Sequence, residues 1–155
     1  MNKPTMLTCL LTENDCYKAG RKITPTGIVV HSTGANNPCV KRYVQPVSST
    51  PDANVLQALL GKNKYGNHWN KDSESMGRQV CVHGFIGKLE DSTPAIVQTL
   101  PWNHRGWHAG GTANNSYIGF EMCEDGLDDA GYLTTVYELA AQLCAWLCET
   151  YGIDV

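Results

Sequence analysis

The sequence lacks the features that mark nucleic-acid-binding and membrane-spanning proteins. It has no run of about 20 apolar residues, which a spanning helix requires, and no basic cluster longer than Lys41-Arg42. With 12 basic and 15 acidic residues, the net charge is -3 and the isoelectric point is about 5.9, whereas a nucleic-acid-binding face is strongly basic. We therefore expect no nucleic-acid partner and no membrane insertion.

The sequence also lacks a recognisable secretory leader and a cysteine framework. Residues 1–11 carry one Lys and a broken apolar stretch, without a small-residue cleavage site. The 7 cysteines are odd in number and form no Cys-x-x-Cys pair, which disfavours both a disulfide scaffold and a zinc ribbon. These absences predict synthesis in the cytoplasm, with most cysteines buried as small apolar side chains.

Hydrophobic patterning predicts one α/β domain within the 155 residues. Strands are predicted at 28–30, 79–86, 95–100 and 117–123. Helices are predicted at about 51–60 and from Asp129 to the cap at Gly152, and loops at 61–77 and 101–111. This alternation predicts a mixed central sheet flanked by helices.

Two polar residues stand on predicted strands, where they can face a cleft. His31 follows the buried strand 28–30 and can present a neutral imidazole nitrogen to a metal. Glu121 lies inside an apolar strand, where burial raises a carboxyl pKa and suits it to general acid/base chemistry. From the residues alone, a hydrogen-bonded His31 and a solvent-facing Glu121 explain the pattern as well.

The loop 101–111 is rich in side chains that recognise ligands. Trp107 can stack on a sugar face and Arg105 can hold a carboxylate through two hydrogen bonds. Packing of Trp107 against the sheet is an equally good explanation. His104 and His108 are four residues apart, but the surrounding Gly and Pro exclude the helix that would bring them onto one face.

Three motifs occur in order along the chain: Ile-Val-Val-His-Ser-Thr at 28–33, Trp-His-Ala-Gly at 107–110 and Tyr-Ile-Gly-Phe-Glu at 117–121. Together they resemble the zinc-dependent N-acetylmuramoyl-L-alanine amidases, a family that includes phage endolysins, bacterial cell-wall amidases and peptidoglycan recognition proteins. The resemblance covers residues 24–152 and is strongest to phage or prophage endolysin domains.

The resemblance implies roles for individual side chains. His31 corresponds to the first Zn²⁺ ligand, and Glu121 to the general acid/base of bacterial members. Substrate contacts are expected from Arg105, Trp107, His108 and His83, although a core position is an alternative for His83. Val82 stands where some amidases carry a tyrosine, which argues against a tyrosine-assisted mechanism.

The resemblance also implies a missing part. Family members take two further metal ligands from a segment beyond the long helix, and this sequence reaches Val155 before such a segment. A catalytic zinc requires three protein ligands and an open position. We therefore expect one domain over residues 1–155 that lacks its C-terminal metal-ligand segment.

Three functions remain open at this point. The first is cleavage of the amide between N-acetylmuramic acid and the L-alanine of the stem peptide in bacterial peptidoglycan, with Zn²⁺ as cofactor and release to the cell wall in the manner of a phage lysin. The second is non-catalytic muropeptide binding by the same fold. The third is a thiol hydrolase with Cys81 or Cys123 as nucleophile and His83 or His108 as base.

Overall fold

The protein is described here by a computed structural model that covers residues 2–154 and is built on a five-stranded sheet. The strands are Met6–Thr8 (β1), Gly27–Ser32 (β2), Gly84–Lys88 (β3), Pro94–Gln98 (β4) and Tyr117–Met122 (β5). The helices are Asp15–Ala19 (α1), Ala53–Leu60 (α2), Ser73–Met76 (α3) and Ala130–Tyr151 (α4), with single 3-10 turns at Val40–Arg42 and Ala113–Asn115.

The strands are arranged in the order β1-β4-β3-β5-β2. β3 and β4 form an antiparallel hairpin, whereas the other three strand pairs are parallel. This confirms the predicted α/β class, single domain and mixed sheet. The predicted outer bounds of the domain, Met1 and Val155, lie outside the described residues.

Each face of the sheet has its own hydrophobic core, because successive side chains of a strand point to opposite faces. Ile118 and Phe120 of β5 pack against α4 on one face. Phe85 of β3 packs on the other face, against α2 and the segment that carries Tyr43 and Trp69. The long helix and the long loops therefore cover opposite sides of one sheet.

Both predicted helices are confirmed, although α2 begins at Ala53 rather than at about 51, and α4 ends at the predicted cap. The Asp129 side chain accepts a hydrogen bond from the Tyr132 backbone N–H at 3.0 Å and so begins α4. Gly152 ends it in the left-handed region at φ 64°. Among residues 2–154, no helix is both long and apolar enough to cross a membrane.

The structure corrects the predicted strand at 79–86. β3 begins only at Gly84, because Cys81 pairs instead with Trp107 of the 101–111 loop in an isolated bridge. The predicted loop 61–77 contains the short helix α3, which the Asp72 side chain caps by accepting from the Ser75 N–H at 2.7 Å. β1 and α1 were not predicted, since β1 has only 3 residues and α1 only 5.

Candidate active site

His31 and Glu121 lie side by side on neighbouring strands. His31 of β2 is paired in register with Glu121 of β5, and Phe85 of β3 is paired with Glu121 on the other side. Residues paired in register on parallel strands point to the same face of the sheet. The sheet therefore presents an imidazole, a carboxyl group and a phenyl ring in one row, on the face opposite α4.

The Glu121 carboxyl group is partly buried and lacks a hydrogen-bond partner at Oε2 within the described part of the chain. Burial raises its pKa to about 7, and the positive charge of Arg78 opposes this effect. A carboxyl group with a pKa near neutrality exists in both protonation states and can accept or deliver a proton. Glu121 therefore has the properties of a general acid/base.

His31 is hydrogen-bonded to His108. The Nε2 atom of His31 lies 3.0 Å from Nδ1 of His108, whose own Nε2 lies 3.3 Å from the Tyr117 carbonyl oxygen. Because a carbonyl oxygen only accepts, Nε2 of His108 carries the proton and Nδ1 accepts from His31. Burial lowers the pKa of both rings, that of His108 to about 4. Both imidazoles are thus neutral at neutral pH, and the lone pair of His31 is on Nδ1.

The His108 ring fits because two glycines leave space for it. A Cβ atom on Gly119 would lie 2.3 Å from Nδ1 of His108, and one on Gly106 would lie 2.8 Å from Cδ2. Neither distance occurs for real Cβ atoms, so any side chain at these positions displaces the ring. This role of Gly119 was not predicted from the sequence, although the glycine stands two residues before Glu121 on the same face of β5.

The loop that carries His108 is held by a buried side chain. The Oδ1 atom of Asn114 accepts hydrogen bonds from the backbone N–H groups of His108 at 2.9 Å and Ala109 at 3.0 Å. Asn114 is 1% exposed. Asn114 was not predicted from the sequence either, because a single asparagine in a polar loop carries no distinguishing signal.

Arg105 and Trp107 precede His108 on the 101–111 loop. Trp107 is 41% exposed, and the Arg105 guanidinium lies 4.9 Å from the centre of its ring. The Nε of Arg105 donates to Oδ1 of Asn115 at 2.7 Å. The ring of His104 is directed elsewhere, into contact with Lys22 and Tyr17. The two histidines of this loop are therefore not brought together, in agreement with the sequence analysis.

His83 does not line the cleft, contrary to the expected substrate contact. Its side chain is 0% exposed, its Nε2 donates to the His104 carbonyl oxygen at 2.8 Å, and its Nδ1 accepts from the Gly119 N–H at 3.0 Å. Burial lowers its pKa to about 4. Both ring nitrogens are hydrogen-bonded within the protein, so His83 is a core histidine, which was the alternative to a substrate contact. Its hydrogen bond from the Gly119 N–H holds the strand residue that contacts the His108 ring.

The structure argues against a thiol nucleophile. Cys81 and Cys123 are 0% and 2% exposed. The contact with Cys16, followed by burial, raises the pKa of the Cys81 thiol, and burial raises that of Cys123. A nucleophilic cysteine needs an accessible thiolate with a lowered pKa. Neither cysteine meets this requirement.

The described residues do not form a complete metal site. In the range 2–154, no three His, Cys, Asp or Glu side chains are grouped closely enough to hold a metal ion. A catalytic zinc requires three protein ligands. The neutral imidazole of His31 fits the chemistry of one such ligand, but the set as a whole does not fit a bound zinc.

Comparison with solved structures shows the same fold in PlyL and in the catalytic domain of XlyA. The structure of PlyL superimposes with a TM-score of 0.60 and 17% identity, over 97% of this chain and 77% of that one. The catalytic domain of XlyA superimposes with a TM-score of 0.59 and 22% identity, over 97% and 80% of the two chains.

Comparison at the sequence level gives the family. N-acetylmuramoyl-L-alanine amidase XlyA of Bacillus subtilis (strain 168) is 30% identical over an alignment of 93 residues, and the match covers 52% of this chain and 29% of XlyA. The chain thus matches less than a third of the length of that relative. Residues 20–155 match the family described as N-acetylmuramoyl-L-alanine amidase. The chain therefore belongs to the N-acetylmuramoyl-L-alanine amidase family.

Proposed function

We propose that this domain hydrolyses the amide bond between N-acetylmuramic acid and the L-alanine of the stem peptide, and that it acts on the bacterial cell wall as a phage-type lysin does. The observation that carries the proposal is the position of Glu121, a carboxyl group with a pKa near neutrality that lies directly opposite His31 on the next strand. Membership of the amidase family supports the same reaction.

Each residue of the site has a different role in amide hydrolysis. Glu121 takes a proton from the attacking water and returns one to the leaving amine of L-alanine. His108 fixes the ring orientation of His31 through the bond to its Nε2. Trp107 and Arg105 bind the sugar and an acidic group of the substrate.

We propose that the reaction depends on Zn²⁺ and that His31 is one of its ligands. The amidase family and the neutral imidazole of His31 support this assignment. Because residues 2–154 offer no cluster of three ligands, the proposal requires further ligands from elsewhere.

Mass spectrometry of purified peptidoglycan tests the proposal. After incubation with the protein and zinc, we expect stem peptides with a free N-terminal L-alanine, and we expect a chelator to abolish them. Glu121→Gln should lower the rate by about 10²–10⁴-fold, the usual contribution of a general acid/base. Glu138→Gln, on the exposed face of α4, removes the same charge away from the site and should leave the rate unchanged.

A non-catalytic muropeptide-binding module is the second candidate. The lack of a three-ligand cluster within the described range favours it. Bound muropeptide with no released alanine N-terminus, at any zinc concentration, would establish this alternative and reject the amidase. Equal rates for wild type and Glu121→Gln would reject the role of Glu121.

A further inference from the structure

Two cysteines from distant parts of the chain lie in contact next to the 101–111 loop. Cys16 of α1 and Cys81 form a small buried cluster with Leu100 and are 5% and 0% exposed. The S–H group of Cys81 donates a hydrogen bond to the sulfur of Cys16, and both are free thiols in the structure. Two thiols in contact need only a small movement to reach the S–S bond length of about 2 Å.

The surroundings give the two thiols different reactivities. The hydrogen bond from Cys81 lowers the pKa of the Cys16 thiol more than burial raises it, and contact with Gln79 and the charge of Arg105 lower it further. The same contact, followed by burial, raises the pKa of the Cys81 thiol. The thiolate is the form that attacks a disulfide. Cys16 is therefore the attacking sulfur of the pair, and Cys81 is its resolving partner.

Cys16 becomes accessible when α1 opens. Among the 5 residues of α1, Cys16 alone is buried, so few contacts hold this helix closed. Short elements at the surface open locally at a much lower free energy than the sheet beneath them. Opening of α1 therefore exposes the Cys16 sulfur to a small reagent while the five strands stay folded.

Cys81 connects the pair to the loop of the candidate active site. Its backbone N–H donates to the Trp107 carbonyl oxygen at 3.1 Å, and the Trp107 N–H donates to the Cys81 carbonyl oxygen at 2.9 Å. His108, whose ring is hydrogen-bonded to His31, follows Trp107 directly. A bond between the sulfurs of Cys16 and Cys81 therefore joins α1 to the segment that anchors this loop.

We propose that Cys16 and Cys81 are a modification site, at which a small disulfide such as oxidised glutathione converts the two thiols to one disulfide that fixes α1 to the 101–111 loop. The inference goes beyond the proposed function, because it involves neither peptidoglycan nor a metal. α1 also lies outside residues 20–155, the part of the chain that matches the amidase family. The bond closes the long loop 16–81, which restricts the unfolded chain and so stabilises the fold.

The modification takes place in two exchange steps. In the first, the Cys16 thiolate bonds to one sulfur of the small disulfide, whose S–S bond breaks and releases a thiolate. In the second, Cys81 loses its proton and bonds to the Cys16 sulfur, and the other small thiolate leaves. The Cys16 thiolate that raises the pKa of Cys81 no longer exists in this mixed disulfide. The protein gives up two electrons and two protons, and the small disulfide becomes two thiols.

Incubation of the folded protein in glutathione buffers, followed by alkylation of the remaining thiols, tests the proposal. In oxidised glutathione we expect a protein lighter by two hydrogen atoms. Cleavage after Lys, Arg and Glu should then release the peptides 14–18 and 79–88 joined by a disulfide, and excess reduced glutathione should restore the dithiol. Oxidation should raise the melting temperature by about 5–15 °C and slow hydrogen exchange at the Trp107 amide.

Variants at other cysteines provide the controls. Cys16→Ser and Cys81→Ala each remove one partner and should abolish both the joined peptides and the rise in melting temperature. Cys144→Ser/Cys148→Ser removes two half-buried thiols of α4, and this variant should respond to oxidation as wild type does. Far-ultraviolet circular dichroism of each reduced variant checks that the fold is intact.

The outcomes do not depend on hydrolysis. A lasting glutathione adduct on Cys16, no oxidation of the folded protein, or oxidation only in urea overturns the proposal. A disulfide between Cys39 and Cys123, whose charges also interact, overturns it as well and is recognised by its own peptides. Joined peptides 14–18 and 79–88 in a protein that releases no alanine N-terminus support the modification site and reject only the amidase.

Discussion

At the scale of single residues, the site depends on the absence of a side chain at Gly119. A methyl group there would lie 2.3 to 2.6 Å from three atoms of the His108 ring, so the ring must move. We expect Gly119→Ala to lower the free energy of unfolding by about 1–3 kcal/mol, the usual cost of overpacking, and to break the His31–His108 hydrogen bond. Urea unfolding and the imidazole resonances in NMR spectra measure the two effects.

The control for this substitution is Gly131→Ala. Gly131 lies in the first turn of α4, where the nearest atom to an added Cβ is a carboxylate oxygen of Asp129 at 3.3 Å. An alanine in a helix is favoured over glycine by up to about 1 kcal/mol, so this variant should be as stable as wild type or more stable. Unchanged His31 and His108 resonances in Gly119→Ala would contradict the packing argument.

Glu121 makes stability depend on pH in a defined direction. Its pKa rises from 4.5 to about 7 on folding, so folding favours the protonated form and stability falls as pH rises through this interval. After a discount for its partial exposure, Glu121→Gln should be more stable than wild type by about 1–2 kcal/mol at pH 8. At pH 4 the two proteins should be equally stable.

Urea unfolding at a series of pH values tests this expectation. Glu138→Gln, which removes an exposed carboxylate from α4, controls for the change in net charge and should show no comparable gain at pH 8. A constant difference between Glu121→Gln and wild type across the pH range would show that Glu121 has no raised pKa in the folded protein.

At the scale of elements, the 106–111 loop owes its shape to Asn114. In Asn114→Ala, the partly buried hydrogen bonds from the N–H groups of His108 and Ala109 lose their acceptor. Since the loss of one such hydrogen bond costs about 0.5–1.5 kcal/mol, we expect a loss of stability of about 1–3 kcal/mol and faster hydrogen exchange at these two amides. Asn115→Ala, which removes only the contact with Arg105, should leave the exchange of both amides slow.

The elements differ in how far the sequence predicts them. β2, β4, β5 and α4 follow from apolar patterns that one strand or helix satisfies locally. β3 could not be placed correctly, because alternation continues through Val80 and Val82 while the backbone at Cys81 pairs with a distant loop. β1 exists only through its pairing with β4. Short elements held by tertiary contacts leave no periodic signal.

The residues of the candidate site also differ in how far the sequence predicts them. His31 and Glu121 could be named from their motifs, since both stand on well-marked strands. The burial of His83 could not be predicted, because its two partners are backbone groups of Gly119 and of the 101–111 loop.

At the scale of the whole molecule, one sheet joins two hydrophobic cores. α4 covers the face with Ile118 and Phe120, whereas α2 and the long loops cover the face that carries the candidate site. The strands form one sheet between the two cores. If one core unfolds, the sheet loses its support and the apolar side chains of the other core become exposed to water. We therefore expect the domain to unfold in one cooperative transition.

Tryptophan fluorescence can follow the two cores separately. Trp102 and Trp146 contact each other in the α4 core, with ring centroids 6.1 Å apart, whereas Trp69 belongs to the opposite core. Trp107 is replaced by Phe in both reporter variants, because it belongs to neither core. In Trp69→Phe/Trp107→Phe the signal comes from Trp102 and Trp146 on the α4 side, and in Trp102→Phe/Trp107→Phe/Trp146→Phe it comes from Trp69 on the site side. Within each variant, the urea midpoint from fluorescence should coincide with the midpoint from far-ultraviolet circular dichroism.

Two matched substitutions extend this test, because Leu60 of α2 and Leu143 of α4 are both fully buried, one in each core. Each change to Ala should cost about 2–5 kcal/mol, and the costs should add in the double variant because the residues share no core. If unfolding is cooperative, Leu60→Ala lowers the midpoint reported by Trp102 and Trp146 as much as the midpoint reported by Trp69. A fall confined to the Trp69 signal would mean that the site side unfolds independently, and the candidate active site would then be less stable than the sheet that supports it.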